Sequence, residues 1–339
     1  MKTLLFKKSI IKKAFTIFFL SSFSLQSNAQ VLGCTDVLSK NYNPLATIND
    51  GSCVYKKKSI EPVFSVVLDN KLQETSGLVK WGDFLWTHND DTDTNLYALD
   101  TLSGAILKTY HLNKVVNTDW EEIAQDNEYL YVCDFGNNYK GNRTDLHILR
   151  IEKNSLLLNQ PKIDTIAFHY SNQTEMKTQN SNRTDFDCEA FVVTKDSLYL
   201  FTKQWRSKNT SVYTLPKTPG NYVANFKKNY AIKGLITGAT FVEDKKIVVL
   251  CGYNKKLKPF VYLLYDYKGN NFFSANKRKI KLKLPFHQIE GIATSDGLNY
   301  YLSNENFSRK PIISNLQKMH LFDLSVFLKP YLDGLKVQK

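Results

Sequence analysis

A short pattern recurs five times along the chain, and no other feature of the sequence constrains the fold as much. Each copy opens on a polar residue, continues with a small or acidic residue and then apolar ones, turns, and resumes in a strand that ends in polar residues. The copies are Ser76-Gly77-Leu78-Val79 with Phe84–Asp90, Glu121-Glu122-Ile123-Ala124 with Tyr129–Asp134, Glu189-Ala190-Phe191-Val192 with Leu198–Lys203, Thr237-Gly238-Ala239-Thr240 with Ile247–Gly252, and Glu290-Gly291-Ile292-Ala293 with Tyr300–Glu305. They start 45, 68, 48 and 53 residues apart. Such a period, built from short β-rich runs, is the signature of propeller blades, with one insertion in the second.

Two more strands follow each of the first four copies: Leu96–Asp100 and Ile106–Tyr110, Leu146–Arg150 and Asp164–Phe168, Val212–Leu215 and Phe226–Tyr230, Val261–Leu264 and Arg278–Leu284. The fifth copy has only Lys318–Phe322. The sequence therefore predicts an all-β fold, a β-propeller of five four-stranded blades, with Phe64–Asp69 from the N-terminal side supplying the missing outer strand of the last blade. Six blades are the alternative, should 171–185 or Val326–Leu335 hide a further one. No segment of this body reads as a helix. Alternating lysines in Lys277–Leu284 suit an exposed outer strand that must resist edge pairing.

Residues 1–30 read as a secretory signal peptide. Lys2, Lys7, Lys8, Lys12 and Lys13 precede an apolar stretch, Ala14–Leu25, and Ser27-Asn28-Ala29 offers small residues for cleavage. The apolar stretch is short of the roughly 20 residues a spanning helix needs, and no later segment is long and apolar enough to cross a membrane. Cleavage takes away five lysines and no acid, so the net charge of +13 falls to +8. The expected location is secreted, periplasmic or at the cell surface of a bacterium. A basic exported chain attracts anionic surfaces, but no nucleic-acid motif is present and nucleic acid is not expected as a partner.

Export permits disulfides. Residues 31–58 form a small module and linker before the propeller domain, 59–339. The module holds too little apolar material for a core, so a Cys34–Cys53 bridge is expected to staple it. Its Asp36, Asn41, Asn43, Asn49 and Asp50 suit either Asx turns or a hard cation. Cys133, Cys188 and Cys251 remain; a Cys133–Cys188 bridge and free buried thiols are both open.

In a propeller the starts of the innermost strands and the ends of the second strands meet at one mouth of the central channel. That mouth is expected to collect Glu74, Asp119, Glu121, Glu122, Asp187, Glu189 and Glu290 from the first set, and His88, Asn89, Asp90, Asp134, Asn137, Lys203 and Glu305 from the second, with Arg206 and His287 in nearby loops. An acidic ring in a basic protein suits a divalent cation such as calcium, with Glu121, Glu189 and Glu290 as its ligands. The same three are the candidates for acid–base catalysis, since crowded carboxyls push each other's pKa values apart. His88, Asn89, Asp90, Asp119, Glu122, Asp134, Lys203 and Glu305 are the candidate ligand-binding residues. There is no nucleophile elbow, His-Glu-x-x-His site or phosphate loop.

Two resemblances follow from these residues. Gly33-Cys34-Thr35-Asp36 and Asp50-Gly51-Ser52-Cys53 resemble the ends of a short Cys-bounded module of exported Bacteroidetes-type proteins, which implies export and the same bridge. Leu85–Asp90, Asp119–Ala124 and Val132–Asn138, with Glu189-Ala190-Phe191 and Glu290–Ala293, resemble an uncharacterised family of bacterial exported propellers, and more loosely the lactonase-like, phytase-like and TolB-like ones. Thr237 departs from it, having no acid, and so does Cys133. The resemblance implies the fold and an acidic mouth, but no catalytic residue. The function expected is an exported propeller that binds a small molecule, glycan or envelope protein at its mouth, with hydrolysis of an ester, phosphoester or glycoside, or an envelope scaffold, as alternatives.

Overall fold

The computed structural model describes residues 30–311 and 313–337; residues 1–29 of the expected signal peptide lie outside them. The chain forms five antiparallel four-stranded units. The first is Thr75–Trp81, Phe84–Asn89, Asn95–Leu99 and Ile106–His111; the second is Trp120–Gln125, Tyr129–Asp134, His147–Glu152 and Ile163–Tyr170. Cys188–Val193, Ser197–Thr202, Thr210–Pro216 and Gly220–Tyr230 make the third, and Leu235–Val242, Ile247–Tyr253, Pro259–Tyr265 and Asn276–Leu282 the fourth. In the fifth, Ile289–Ala293, Asn299–Asn304 and Lys318–Asp323 are joined by Phe64–Val67, which pairs antiparallel with Lys318–Leu321. The N-terminal strand thus completes the last unit, as the sequence predicts.

The innermost strands follow one another around a ring, the fifth packing against the first. One apolar cluster fills each of the five contacts between neighbouring units. Trp86, Leu96 and Tyr110 meet Trp120, Leu130 and Ile151 between the first two, and Leu78, Leu85 and Leu99 meet Ala293 and Met319 between the first and last. Strands sandwiched this way are covered on both faces, which is why Ile247–Tyr253 reads as an almost unbroken apolar run and is buried throughout. The architecture is propeller-like and all-β, with two helices of note.

Several expectations are corrected. The tail is not a further set of strands: Ser325–Val337 is a helix that lays Phe327, Leu328 and Leu332 into the cluster between the fourth and fifth units. Residues 171–185 contain no strand. A second, five-residue helix occupies Lys153–Leu157. The outer strand of the third unit is longer than predicted, because its first half pairs in parallel with the outer strand of the second unit (Ile166↔Gly220 to Tyr170↔Ala224), fusing the two into one eight-stranded sheet. The lysine-rich strand of the fourth unit is not a bare edge either. Lys58–Ile60, where the expected linker meets the propeller domain, adds to it in parallel.

The module carries the Cys34–Cys53 disulfide and docks on that same edge. Asn49 donates to Asp266 and Asn276, and the Tyr55 and Tyr265 hydroxyls donate to Asp36. Its candidate cation oxygens accept backbone N–H groups: Asp36 from Leu38, Asn41 from Val54, Asn43 from Leu45, Asn49 from Gly51 and Asp50 from Ser52. Asp36, Asn43, Asn49 and Asp50 thus serve as Asx turns, and Asn41 ties distant parts of the module together. Cys133, Cys188 and Cys251 are buried free thiols, so no Cys133–Cys188 bridge exists.

Candidate acidic site at the channel mouth

The register of the inner strands explains how the repeat aims its side chains. In every unit the pairing between first and second strands slips near the start of the inner strand. Trp120 and Glu122 face Asp134 and Cys133, leaving Glu121 outside the ladder; Glu189 and Glu290 are left out in the same way, and so is Thr237. A bulge turns a side chain away from strand alternation. It puts three glutamates at equivalent places around the mouth. Where no acid stands there, a hydroxyl ties neighbouring units together: Ser76 donates to the Glu121 carbonyl and Thr237 to that of Ile289.

Glu121, Asp187 and Glu189 bring carboxylate oxygens within 4.8 Å of one another, all three buried. Asp187 is fixed by the Asn137 backbone N–H (2.7 Å) and the Trp205 indole N–H (2.7 Å). Lys203, also buried, pairs with Glu189 and lies over the rings of Trp205 and Tyr253, 4.8 and 5.4 Å from their centroids. Nearer solvent, half-buried Glu74, Asp90 and Glu305 form a second group within the same 4.8 Å, and Gln288 donates to Glu305. Asp119 and Glu290 are electrostatically coupled to these groups. Gly136 makes room for Asp119 beside Glu121, since a Cβ there would collide with both carboxylates.

Eight carboxyl groups thus share one ammonium. Two like charges 4.8 Å apart repel by about 3 kcal/mol at an effective dielectric constant of about 20. Burial raises every carboxyl of the centre, and like-charge neighbours add to it for most of them. Burial first, then Glu74 and Asp119, push Asp90 up to about 8. Burial and Asp187 push Asp119 to about 7 against the pull of Arg143. Burial pushes Glu290 to about 7 although Lys203 draws it down. Glu121, Glu189 and Glu305 go well above the usual range, burial leading. Lys203 keeps its proton: burial opposes the charge, but Glu189 and further acids outweigh it. One oxygen of buried Glu290, Oε2, has no hydrogen-bond partner.

The other predicted site residues are engaged in the frame around this centre. Glu122 is fully buried. Its Oε1 accepts the N–H groups of Leu78 (3.3 Å) and Ile123 (3.0 Å), and its Oε2 that of Ala239 (2.7 Å), so one side chain joins the first, second and fourth units. The residues at its place in the other copies are Gly77, Ala190, Gly238 and Gly291, which leaves space for it. His88 is fully buried edge-on to Trp120, and burial lowers it to about 4, so it is neutral. Asn89 donates to the Lys71 carbonyl and to Asp93. Asp134 pairs with Arg143 at 2.6 Å and accepts the Thr118 N–H. Asn137 binds the Phe186 carbonyl and the Arg143 N–H, and His287 stands against His320. These side chains build the mouth rather than line it. Trp205, Tyr253 and Gln288 do line it and were not among the predicted residues. Tyr253 ends its second strand just as Asn89 and Asp134 end theirs, but a search for polar strand ends passes over an aromatic.

No family model and no curated protein matches the chain. Among solved structures it is similar to the crystal structure of Myxococcus xanthus glutaminyl cyclase, with a TM-score of 0.45 and 10% identity over 78% of this chain and 98% of that one. It is also similar to the WD40 repeats of RRP9, with a TM-score of 0.40 and 10% identity over 79% of this chain and 100% of that one.

Proposed function

We propose that the five units are the blades of a five-bladed propeller, exported by a bacterium, which binds a ligand at its acidic mouth together with a divalent cation, calcium by its chemistry. The observation that carries this reading is the buried convergence of Glu121, Asp187 and Glu189, with the unpartnered oxygen of Glu290 beside them. Hard carboxylate oxygens without sulfur or imidazole suit calcium or magnesium rather than a transition metal. Glu121, Asp187, Glu189 and Glu290 would hold the ion, and Glu74, Asp90, Asp119 and Glu305 would face the ligand. A bound cation supplies the charge that one lysine cannot.

Thermal unfolding tests it, in EDTA and with calcium restored, on the natural chain and on Glu121→Gln/Glu189→Gln/Glu290→Gln. Binding to the folded state alone stabilises by about 2.7 kcal/mol at a hundredfold excess over Kd. Calcium should raise the Tm of the natural chain and leave the variant unmoved. No shift in the natural chain would refute the reading.

A hydrolase is the second reading. It is favoured by Asp119 and Glu290, which are poised at about 7, where a general acid or base works best.

A further inference from the structure

On the same face, loops of the third, fourth and fifth units enclose a groove of about 1070 Å³. Its walls are basic. Arg183 comes from the 171–185 insertion, Arg206 and Lys208 from the loop after Lys203, and Lys255, Lys256 and Lys258 from the hairpin after Tyr253. Arg309 also lines it, and among the described residues no Asp or Glu does. None of these seven cations is in an ion pair with a carboxylate, whereas acidic partners are found for nine basic–acidic contacts elsewhere among the described residues. Their crowding is felt: burial, then Lys255 and other nearby cations, lower Lys208 despite the pull of Asp185.

The backbone of the groove is held in an uncommon conformation. Asn182, Lys208, Leu257 and Phe286 all line it and have φ of 60°, 59°, 51° and 63°. For Leu and Phe such values carry a steric cost, and residues of this kind cluster at binding sites. Like-charge crowding and backbone strain in one concavity are both unfavourable to the empty protein, and an anion would relieve the first.

The charges are spread along the groove on separate loops rather than converging on one point. That suits charges spaced along a chain. A planar membrane cannot reach into a concavity. Single-stranded nucleic acid binds through stacking on free aromatic faces, but Lys203 and Lys208 already lie over Trp205, and Lys203 over Tyr253. Phe286 is the exposed ring that remains. We propose that this groove binds an acidic polysaccharide, a sugar chain bearing carboxylate or sulfate groups. This inference does not depend on a cation at the mouth.

The test is fluorescence anisotropy of the full chain with labelled hexasaccharides (a uronate, a sulfated and a neutral one) and a single-stranded oligonucleotide, all in EDTA. At least one acidic sugar should bind, and the uronate and sulfated arms tell which anion the groove takes. Its affinity should fall at least tenfold between 50 and 200 mM salt, as exposed charges are screened. The neutral sugar should not bind. Lys255→Glu/Lys256→Glu/Lys258→Glu should weaken binding at least tenfold with an unchanged Tm. Lys57→Glu/Lys227→Glu/Lys228→Glu, the same charge change on exposed positions elsewhere, should not. Equal weakening by both variants would reduce the effect to net charge, equal or tighter oligonucleotide binding would assign the wrong class, and absence of binding would end the proposal. Because EDTA is present throughout, each of these outcomes stands apart from the calcium reading.

Discussion

Replacing Glu122 by alanine should be among the most damaging single changes on the channel axis. The carboxylate accepts three buried backbone N–H groups, from Leu78, Ile123 and Ala239. Alanine offers no acceptor, and each orphaned buried donor costs about 1–3 kcal/mol. The Leu78 contact is long at 3.3 Å, so the low end applies to it. Removing a buried acid that burial and Glu290 already disfavour in its charged form returns part of the loss. A net loss of about 3 kcal/mol follows, or roughly 6 °C or more in Tm for a domain of this size. Glu122→Gln separates the two effects. It keeps the shape and one oxygen, so it still serves one side of the channel but turns an NH2 toward a donor on the other, and should lose about 1–2 kcal/mol. Urea unfolding of the three proteins at pH 7 measures the order natural, glutamine, alanine. A loss below about 1 kcal/mol for alanine, or a glutamine variant worse than the alanine one, would refute the idea that Glu122 ties the units together.

Stability without a divalent cation should depend on pH with a definite sign. Asp90, Asp119 and Glu290 have folded values of about 8, 7 and 7, above the 3.9–4.3 of unfolded carboxyls. The folded state therefore holds more protons between about pH 4 and 8, and stability falls as pH rises through that window; melting in EDTA from pH 5 to 8.5 should show a decline of a few kcal/mol, and a flat or rising profile would contradict it. Gly77→Ala should destabilise by about 2 kcal/mol or more, because its φ is 63° and a Cβ would stand 2.6 Å from the Ile123 nitrogen; denaturant unfolding reads this, and a neutral result would mean that the inner strands pack less closely.

The repeat made much of this legible. Aligning the five copies places Ser76, Glu121, Glu189, Thr237 and Glu290 in one column, and the structure puts a bulge at that column in the last four units and just after it, at Gly77 and Leu78, in the first. The bulge itself is a property of strand pairing and is not written in either strand alone. Phe64–Val67 was legible as the closing strand because it was an apolar run without a partner and the fifth copy was one strand short. Glu122 looks like a mouth residue in any one copy, because it is a polar residue at a strand start. Reading its column instead, one glutamate among Gly77, Ala190, Gly238 and Gly291, shows a large side chain filling space left by four small ones. The pairing of Asp134 with Arg143, nine residues on, is one that no spacing rule foretells. The terminal helix was hidden by Pro330 and Gly334, both of which argue against a helix from sequence. The parallel joining of the second and third units depends on where two outer edges meet in space, which local pattern does not encode.

The central claim is that the buried acids at the mouth hold a divalent cation, and equilibrium dialysis with radioactive calcium at pH 7.5 tests it most directly. The account predicts at least one ion bound per natural chain, and at least one fewer for Glu121→Gln/Glu189→Gln/Glu290→Gln. No bound calcium in the natural chain, or the same number of ions on the variant, would contradict it.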